Sequence, residues 1–427
     1  MSKFQFILLG IFGVFIIVAV LVFSLYKGSS GSEAKITIWG SISNSEFNYF
    51  LNKAKLNQDN ALNINYLEKD PKTLLEEFTE ALARGAGPDL IIIPQDELWQ
   101  ARNKLQPIPY KSISERVFKE TFVEGAEIFL SESGVYAMPL SIDPLVLYYN
   151  RDILSSVGIA KPLAYWDEVY ASTDKINKRD PAGNLVRSTI ALGETRNLPH
   201  YKDIFSLLLL QAGTPITALV SGELRSMLTY NSGLPVVPAE SALDFYTQFA
   251  NPAKTFYSWN RVLPEASKHF ASGDLAYYLG YASEVGLLRR KSPTLNFSVA
   301  PVPQSRVATR KMTYGRFYGV AISRGTPNPN ASLQAIMKLV SKDASLAFSE
   351  SFSLPPARRD LLAVKPTDVS GSVFYESALQ ARSWLDPRPE ATATIFQDLI
   401  ESVTSGRLRL SEALRTAHGR LEELTKK

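Results

Sequence analysis

Three segments after residue 34 have the hydrophobic pattern of strands. Lys35–Trp39 and Leu62–Leu67 alternate apolar and polar positions with a period of two, which predicts half-buried strands. Asp89–Ile93 is a continuous apolar run, as expected for a strand that is covered on both faces. Because helical patterns separate the strands, the order predicts a parallel sheet with right-handed crossovers.

A helix is predicted between the second and third of these strands. Leu74, Phe78 and Leu82 recur every four residues and therefore share one helix face. Asp70, which is followed by proline, predicts the start of this helix, and Gly85 predicts its end.

The rest of the chain is predicted to be helix-rich. Two short strand-like runs flank Pro139 and Pro144, within Tyr136–Asn150. Later strands are predicted at Asp274–Leu279, Asn296–Val302 and Phe317–Ser323. Later helices are predicted at Trp166–Ile176, Phe205–Ala212, Ser241–Phe249, Val262–Ser272, Ala331–Val340, Asp343–Ser351, Ala391–Val403 and Ser411–Thr425.

The N-terminal segment differs from the rest in hydropathy. Phe6–Tyr26 contains no charged residue and, as a helix, would be about 31 Å long, close to the thickness of the hydrocarbon core. We expect an uncleaved plasma-membrane anchor, with Gly28–Ser32 as a flexible tether and the body outside the cytoplasm. The alternative is a cleaved signal peptide, whose apolar stretch is usually shorter.

Composition excludes several classes of protein. The 427 residues include 46 basic and 42 acidic side chains, and this balance argues against a nucleic-acid-binding protein. Cysteine is absent, which excludes disulfides, thiolate metal sites and a lipid attached through cysteine.

No catalytic or metal-binding motif stands out. The three histidines, His200, His269 and His418, are far apart and have no companion at metal-ligand spacing. The oxygens of the loop at residues 177–184 do not follow a calcium-loop pattern. The sequence therefore predicts no cofactor and no metal. Isolated acids such as Asp143 and Glu284 leave open the alternative of an anchored extracytoplasmic enzyme of the glycosidase type.

Several aromatic side chains occur where the chain bends beside glycine: Trp39-Gly40-Ser41, Leu279-Gly280-Tyr281 and Tyr314-Gly315-Arg316-Phe317. Segments that leave the carboxyl ends of parallel strands form the ligand crevice of open α/β sheets. Aromatic faces there can stack on a ligand while polar neighbours orient it.

Eight segments, in order, resemble the extracellular solute-binding proteins of ABC importers, in particular the maltose-binding-like group. The most specific is Tyr136–Leu140 followed by Leu147–Asp152, which is similar to the family's Tyr-Gly-Leu-Pro … Leu-Tyr-Tyr-Asn-Lys-Asp signature. The others are Ile36–Gly40, Gly87–Ile91, Trp166–Glu168, Phe270–Ala276, Val299–Pro303, Tyr318–Ser323 and Leu354–Arg358.

This resemblance implies an α/β fold of the two-lobed periplasmic-binding-protein type (type II), and the N-terminal transmembrane helix expected from hydropathy would precede it. Residues 1–34 would be anchor and tether. The first lobe would hold 35–145 plus 302–342, and the second, helix-rich lobe 146–301 plus 343–427. Departures from the family are the missing lipid-bearing cysteine and a poorly matched stretch at Gly193–Gly233.

The resemblance also implies a function. The protein would be a monomer that captures a small solute, most readily a sugar or oligosaccharide, between its lobes and delivers it to an ABC permease. Asp89 is expected to be a structural cap. The expected ligand contacts are Trp39, Ser41, Gln95, Asp96, Asp143, Tyr281, Ser283, Tyr314, Arg316 and Trp384. A solvated hinge charge is the alternative for Asp143, and core packing for Trp384.

Other ligands and roles stay open at this point. An anionic ligand would use Arg316 and helix N-termini. A polyamine would use Asp96 and Asp143 within an aromatic cage. A further alternative is that this chain uses the same fold as a sensor or adhesion module without transport.

Overall fold

The computed structural model describes residues 34–58, 62–231, 233 and 235–426. Within these ranges, no helix is both long enough and apolar enough to cross a membrane. The predicted anchor, Phe6–Tyr26, lies outside the described residues.

Fifteen strands are present in the described residues. They are β1 Ala34–Gly40, β2 Leu62–Glu68, β3 Leu90–Pro94, β4 Leu105–Gln106, β5 Leu130–Ser131, β6 Gly134–Val135, β7 Met138–Asn150, β8 Lys178–Arg179, β9 Leu185–Ile190, β10 Thr217–Val220, β11 Glu223–Ser226, β12 Leu275–Tyr281, β13 Phe297–Ala300, β14 Thr313–Ser323 and β15 Ala381–Arg382.

Sixteen α-helices accompany these strands within the same ranges. They are α1 Asn44–Lys53, α2 Leu74–Ala83, α3 Leu98–Ala101, α4 Glu115–Thr121, α5 Arg151–Ser156, α6 Glu168–Ile176, α7 Tyr201–Gln211, α8 Pro238–Thr247, α9 Ala266–Ala271, α10 Val285–Lys291, α11 Pro329–Leu339, α12 Lys342–Phe352, α13 Arg359–Leu362, α14 Val369–Gln380, α15 Pro389–Thr404 and α16 Leu410–Thr425.

The predicted parallel sheet at the start of the body is confirmed. β1 pairs in parallel with both β2 and β3, so the strand order is β2-β1-β3. Asp89 precedes β3 and has the predicted structural role, because its carboxylate accepts hydrogen bonds from Thr37 N at 2.9 Å and Thr326 Oγ1 at 2.5 Å.

Two helices start about four residues later than predicted. α2 begins at Leu74, because Asp70 caps a turn instead of the helix: its Oδ1 accepts a hydrogen bond from Lys72 N at 2.9 Å. α9 likewise begins at Ala266 and not at Val262, since the residues before it form a turn around the Asn260 side chain.

The two short strand runs predicted around Pro139 and Pro144 are one long strand, β7. Pro139 faces Gly319 and Pro144 faces Gly315 of the antiparallel partner β14, and the pairing shifts register between Tyr318 and Gly319. Such an irregularity is one of the places where a strand accommodates proline. β14 then pairs with β3, and β7 pairs with β12, so one sheet runs β2-β1-β3-β14-β7-β12-β9-β8.

The buried apolar residues divide this sheet into two lobes. Met138, Leu140 and Ile142 of β7 belong to the core of the first lobe, whereas Leu145 and Leu147 belong to that of the second. β14 changes core in the same place, since Tyr314 packs in the second lobe and Phe317 in the first. The chain crosses between the lobes a third time between Ala381 and Trp384. The molecule is therefore a two-lobed α/β clamp.

The cores divide the chain differently from the expected lobe boundaries. Residues 302–313 belong with the second lobe and 344–381 with the first, because the chain crosses at β14 and β15. Residues 344–381 pack with the first lobe because of aromatic contacts: Phe348 of α12 contacts Phe50 of α1, with ring centroids 5.1 Å apart.

Helix α14 was not predicted, and it touches both lobes. Phe374 packs with Val146 and Tyr148 on the outer face of the second-lobe sheet. Ala378, one turn later, is buried in the first lobe. Because neighbours from two lobes cover the helix on different sides, it has no single apolar stripe.

Candidate functional site

The strands that connect the lobes carry charged side chains at the point of crossing. Asp143 of β7 and Arg316 of β14 are directly opposite in the antiparallel register. Residues 95–97 follow β3 of the first lobe, and residues 282–284 follow β12 of the second. The carboxyl ends of strands from both lobes thus lead to one boundary, where open α/β sheets bind ligands.

Asp143 is buried and ties the crossing to the second lobe. Its carboxylate accepts hydrogen bonds from Ser283 N at 3.0 Å and from Ser283 Oγ at 2.6 Å. Burial raises the pKa of Asp143 to about 6, although the Ser283 hydrogen bonds and the Arg316 charge oppose this shift. The ionised carboxylate is therefore held at a cost in free energy.

Arg316 forms an ion pair with the second lobe. Its Nη2 lies 2.9 Å from Asp203 Oδ2 at the start of α7, and its guanidinium lies 4.2 Å from the centre of the Tyr281 ring. Burial alone would raise the pKa of Asp203, but the charges of Arg316 and Lys202 outweigh it and hold that pKa below its ordinary value. Both groups are therefore charged at neutral pH.

A second ion pair lies beside the first. Lys202 Nζ is 2.5 Å from Asp386 Oδ2 and donates a further hydrogen bond to the Pro389 carbonyl at 3.1 Å. Although burial favours the neutral amine, the neighbouring Asp386 and Asp96 charges raise the pKa of Lys202. The same segment carries Trp384, whose indole N–H donates to Ser206 Oγ at 3.1 Å.

Glu284 organises the segment after β12. Its Oε1 lies 2.8 Å from His200 Nε2 and accepts from Tyr281 N at 2.6 Å, and its Oε2 accepts from Tyr278 Oη at 2.6 Å. Burial opposes ionisation, but the hydrogen bond to His200 outweighs it and lowers the pKa of Glu284. A Cβ atom at Gly280 would lie 2.9 Å from this carboxylate, so glycine is required for the close approach.

Two of the predicted contacts have structural roles. Gln95 is fully buried, and its Oε1 accepts from Phe317 N at 2.6 Å while its Nε2 contacts Tyr314 Oη at 3.4 Å. Both ends of the amide are therefore used to hold β14. Trp384 is 4% exposed and stacks on Phe396 with ring centroids 6.0 Å apart, which agrees with the core-packing alternative.

Two adjacent acids at the boundary have oxygens without donors. Asp96 Oδ1 and Glu97 Oε2 are buried and have no hydrogen-bond partner within the described residues. Burial is the main cause, and the negative charge of Asp96 a smaller one, of the rise in the pKa of Glu97 to about 8. Glu97 also lines an interlobe cavity of about 360 Å³, whose opposite wall includes Arg388 and Glu390. Unpaired buried acceptors are costly unless a ligand or water supplies donors.

Trp39 and Ser41 lie apart from this cluster. Trp39 is almost buried and packs under Lys69, whose Nζ is 4.2 Å from the ring centre. Ser41 lines a separate surface cavity with Asn44, Glu68 and neighbouring residues. No hydrogen bond or ion pair of the described residues joins either one to the Arg316 cluster.

Lys202, Asp203 and Asp386 were missed at the sequence level. Lys202 and Asp203 lie in the stretch Gly193–Gly233, which matches the family poorly, and no short motif marks Asp386. One signal was available, since His200–Asp203 places several ionisable groups immediately before the apolar run of α7. Such a group at the start of a buried helix points to a site near its N-terminus.

Comparison with known families identifies the class of this protein. The sequence profile of a family described as bacterial extracellular solute-binding protein matches residues 53–371. The chain belongs to this family. The family and its structural relatives are binding proteins and not enzymes, which supports a non-enzymatic role and an extracytoplasmic body.

Curated relatives are distant. A binding protein from Brucella abortus (strain 2308) is 24% identical over 294 residues, which are 67% of this chain. The chain spans 66% of the length of that relative. The maltodextrin-binding protein of Bacillus subtilis (strain 168) is 24% identical over 148 residues, covering 33% of this chain and 34% of that protein.

Solved structures show the same fold. A cyclic α-maltosyl-1,6-maltose-binding protein from Arthrobacter globiformis superposes with a TM-score of 0.76 at 14% identity, covering 92% of this chain and 100% of that one. A cyclo/maltodextrin-binding protein complexed with maltotetraose has a TM-score of 0.74 at 18% identity, covering 92% and 98%. Both agree with the two-lobed clamp.

Proposed function

We propose that this protein is a membrane-anchored, monomeric solute-binding protein that captures a sugar or oligosaccharide between its lobes and delivers it to an ABC permease. Phe6–Tyr26 would hold it at the plasma membrane with the clamp outside the cytoplasm. The observation that supports this most strongly is the interlobe cluster around Arg316, whose guanidinium contacts Asp203 and the Tyr281 ring, together with the unpaired oxygens of Asp96 and Glu97 at the same boundary between the lobes.

The charge arrangement favours a neutral, hydroxyl-rich ligand. Arg316 and Lys202 are already neutralised by Asp203 and Asp386, so neither of these two cations is left for an anionic solute. The raised pKa of Glu97 means that this carboxyl is largely protonated at neutral pH, which disfavours a polyamine. Sugar hydroxyls can donate to carboxylates and accept from guanidinium or carboxyl groups, with charge-assisted bonds worth about 1.5–3 kcal/mol each.

Relatives give independent support for this ligand class. Similar structures are described as complexed with maltotetraose, bound with α-D-tagatose, and bound to maltotriose. Curated relatives from Bacillus subtilis include a galactooligosaccharide-binding protein and a maltodextrin-binding protein. The site residues proposed for this chain are Asp96, Asp143, Tyr281, Ser283, Tyr314 and Arg316, with Lys202, Asp203 and Glu97 added from the structure.

A thermal-unfolding screen of the full chain in neutral detergent tests the ligand class. The panel contains maltodextrins, galactooligosaccharides, spermidine and phosphate. A true ligand at about 100 times its dissociation constant should add about 2.7 kcal/mol to the free energy of unfolding. Stabilisation by spermidine, with none by any sugar, would replace the sugar proposal with the polyamine alternative.

Asp96→Asn tests the position of the site. The asparagine amide cannot supply the charge-assisted acceptor, so we expect sugar affinity to fall at least about tenfold, measured by calorimetric titration. Asp343→Asn, an exposed acid on α12 of the first lobe, is the matched control and should bind like the parent. Equal affinity of the parent and Asp96→Asn would remove Asp96 from the site.

The transport role is tested separately in cells. If the protein delivers solute to a permease, deleting its gene should abolish uptake of the bound sugar, and the full chain should restore it. Unchanged uptake together with tight binding would favour the sensor or adhesion alternative.

A further inference from the structure

The outer edge of the second-lobe sheet has two cations without acidic partners. Lys178 of β8 and Arg187 of β9 are directly opposite each other in the antiparallel register. Like charges in this arrangement destabilise a strand pair. Arg187 is half-buried, its Nε has no hydrogen-bond partner, and neither side chain forms an ion pair within the described residues.

Both cations line one cavity of about 490 Å³, which lies away from the interlobe cluster. Asn150, only 3% exposed, forms part of its wall. The Oδ1 of Asn150 accepts hydrogen bonds from Asp152 N and Ile153 N at 3.0 Å, and its Nδ2 has only a long contact of 3.5 Å to the Gly273 carbonyl. The remaining polar wall is made of the Asp152 carboxylate and three hydroxyl-bearing side chains: Ser156, Ser272 and Thr294.

The acidic groups near the cavity do not neutralise these cations. Asp152 lines the cavity, but its Oδ1 accepts from Asn296 Nδ2 at 2.7 Å. Asp274, after α9, accepts from Ser272 Oγ at 3.2 Å. The wall therefore presents two positive side chains, one carboxylate and several neutral donors, which is the composition expected around a bound oxyanion.

We propose that this cavity binds the phosphate group of a small molecule. The phosphate would lie between Lys178 and Arg187, and the Asn150 amide would donate to it. A bound dianion would convert the repulsion of the two cations into attraction and supply the acceptor that Arg187 Nε lacks. A volume of this size falls in the usual range for small-molecule sites, so the cavity also accommodates the group that carries the phosphate.

Edge protection explains only part of this arrangement. An exposed lysine on an edge strand discourages pairing with other chains, and Lys178 fits that role. It does not explain a half-buried arginine placed against the lysine, at a cavity, without an acceptor.

The test titrates the full chain in neutral detergent with inorganic phosphate and follows thermal unfolding and calorimetric heat. We expect phosphate to stabilise the parent, and Lys178→Gln and Arg187→Gln each to weaken phosphate binding at least about tenfold, the loss of one charge-assisted contact. Without phosphate, both variants should unfold no earlier than the parent, since each removes a repulsion. Arg179→Gln, next to Lys178 but outside the cavity wall, is the matched control and should bind phosphate like the parent.

A second arm identifies the source of the phosphate group. Micelles doped with phosphatidylglycerol are compared with micelles doped with phosphatidylcholine. Stabilisation of the parent by phosphatidylglycerol alone, lost in Arg187→Gln, would support the site with a lipid headgroup as its ligand. The proposal is overturned if phosphate and phosphatidylglycerol both leave the parent unchanged, or if they act equally on the parent and both cavity variants. Sugar binding plays no part in these readouts, so they are independent of the function proposed for the cleft.

Discussion

Asp143 is a residue whose ionisation opposes folding. Its carboxylate is 4% exposed, and its pKa is raised to about 6, against about 3.9 in an unfolded chain. Between about pH 4 and pH 6 the folded state therefore holds a proton that the unfolded state has released. The free energy of unfolding consequently falls as pH rises through this window, by about 3 kcal/mol at most, and stays lowered above it.

Asp143→Asn should remove this dependence. An asparagine accepts from Ser283 N and donates to Ser283 Oγ, so the contacts with the second lobe persist without a charge. We expect the variant to be more stable than the parent at pH 7, and the fall between pH 4 and pH 6 to become smaller by up to about 3 kcal/mol, as measured by urea unfolding across this range. The raised pKa of Glu97 contributes a fall of the same sign, which stays in the variant. Asp174→Asn, an exposed acid on α6, should leave the whole fall intact. An undiminished fall in Asp143→Asn would assign the titration to another group.

At this scale the sequence predicted positions better than roles. Asp143 lies at the first crossing, close to where the resemblance implied one, whereas Arg316 lies at the second crossing, which comes later in the chain than the resemblance implied. Gln95 also lies at the lobe boundary, but its side-chain oxygen accepts a hydrogen bond from the backbone of β14. This contact depends on tertiary packing and could not be predicted from the sequence. Asp203 reaches Arg316 across 113 residues of chain, and no local pattern predicts such a contact.

Helix α14 packs against the cores of both lobes. Phe374 is 5% exposed in the second lobe, while Ala378 is buried in the first. Phe374→Ala should lower the free energy of unfolding by about 3–5 kcal/mol, because it leaves a cavity. We further expect the single unfolding transition to separate into two, because α14 would then pack only against the first lobe. Calorimetry measures both the loss of stability and the number of transitions.

A control within the same helix separates packing from helix propensity. Leu379 is 39% exposed, so Leu379→Ala should change stability by no more than about 0.5 kcal/mol and keep one transition. If Phe374→Ala also kept a single transition, α14 would not be the element that couples the lobes.

Strands and helices that bury one apolar face against one lobe could be predicted from their hydrophobic period. Elements that contact both lobes could not. The strands β1, β2 and β3 follow a pattern set by a single sheet environment, and their pairing was predicted correctly. The prolines of β7 predict an interruption, because proline cannot donate a hydrogen bond to the sheet, whereas the strand continues through both of them and its pairing with β14 shifts register beside Pro139. α14 has apolar residues that face different lobes, so its pattern has no single period.

For the whole molecule, the lobe boundaries depend on where the chain crosses. The second and third crossings lie at residues 314–317 and 381–384, later than the resemblance implied. Apolar content alone cannot locate them, because residues 343–381 are as apolar as a second-lobe segment would be. The decisive contacts, such as Phe348 on Phe50, join parts of the chain about three hundred residues apart.

We expect the Arg316–Asp203 ion pair to determine how far the two lobes close when a ligand binds. Arg316 sits on the crossing strand and Asp203 on α7 of the second lobe, so their 2.9 Å contact fixes the lobe against the hinge. Asp203→Asn keeps the shape of the side chain but removes the charge, which weakens a charge-assisted bond worth about 1.5–3 kcal/mol. We expect sugar affinity to fall at least about tenfold, and the ligand-induced decrease in the radius of gyration, measured by small-angle scattering, to become smaller.

Asp244→Asn, an exposed acid on α8 of the same lobe, is the control and should behave like the parent in both measurements. If Asp203→Asn closed as fully and bound as tightly as the parent, the pair would be a packing feature of the second lobe, and control of closure would have to lie with Asp143 and Ser283.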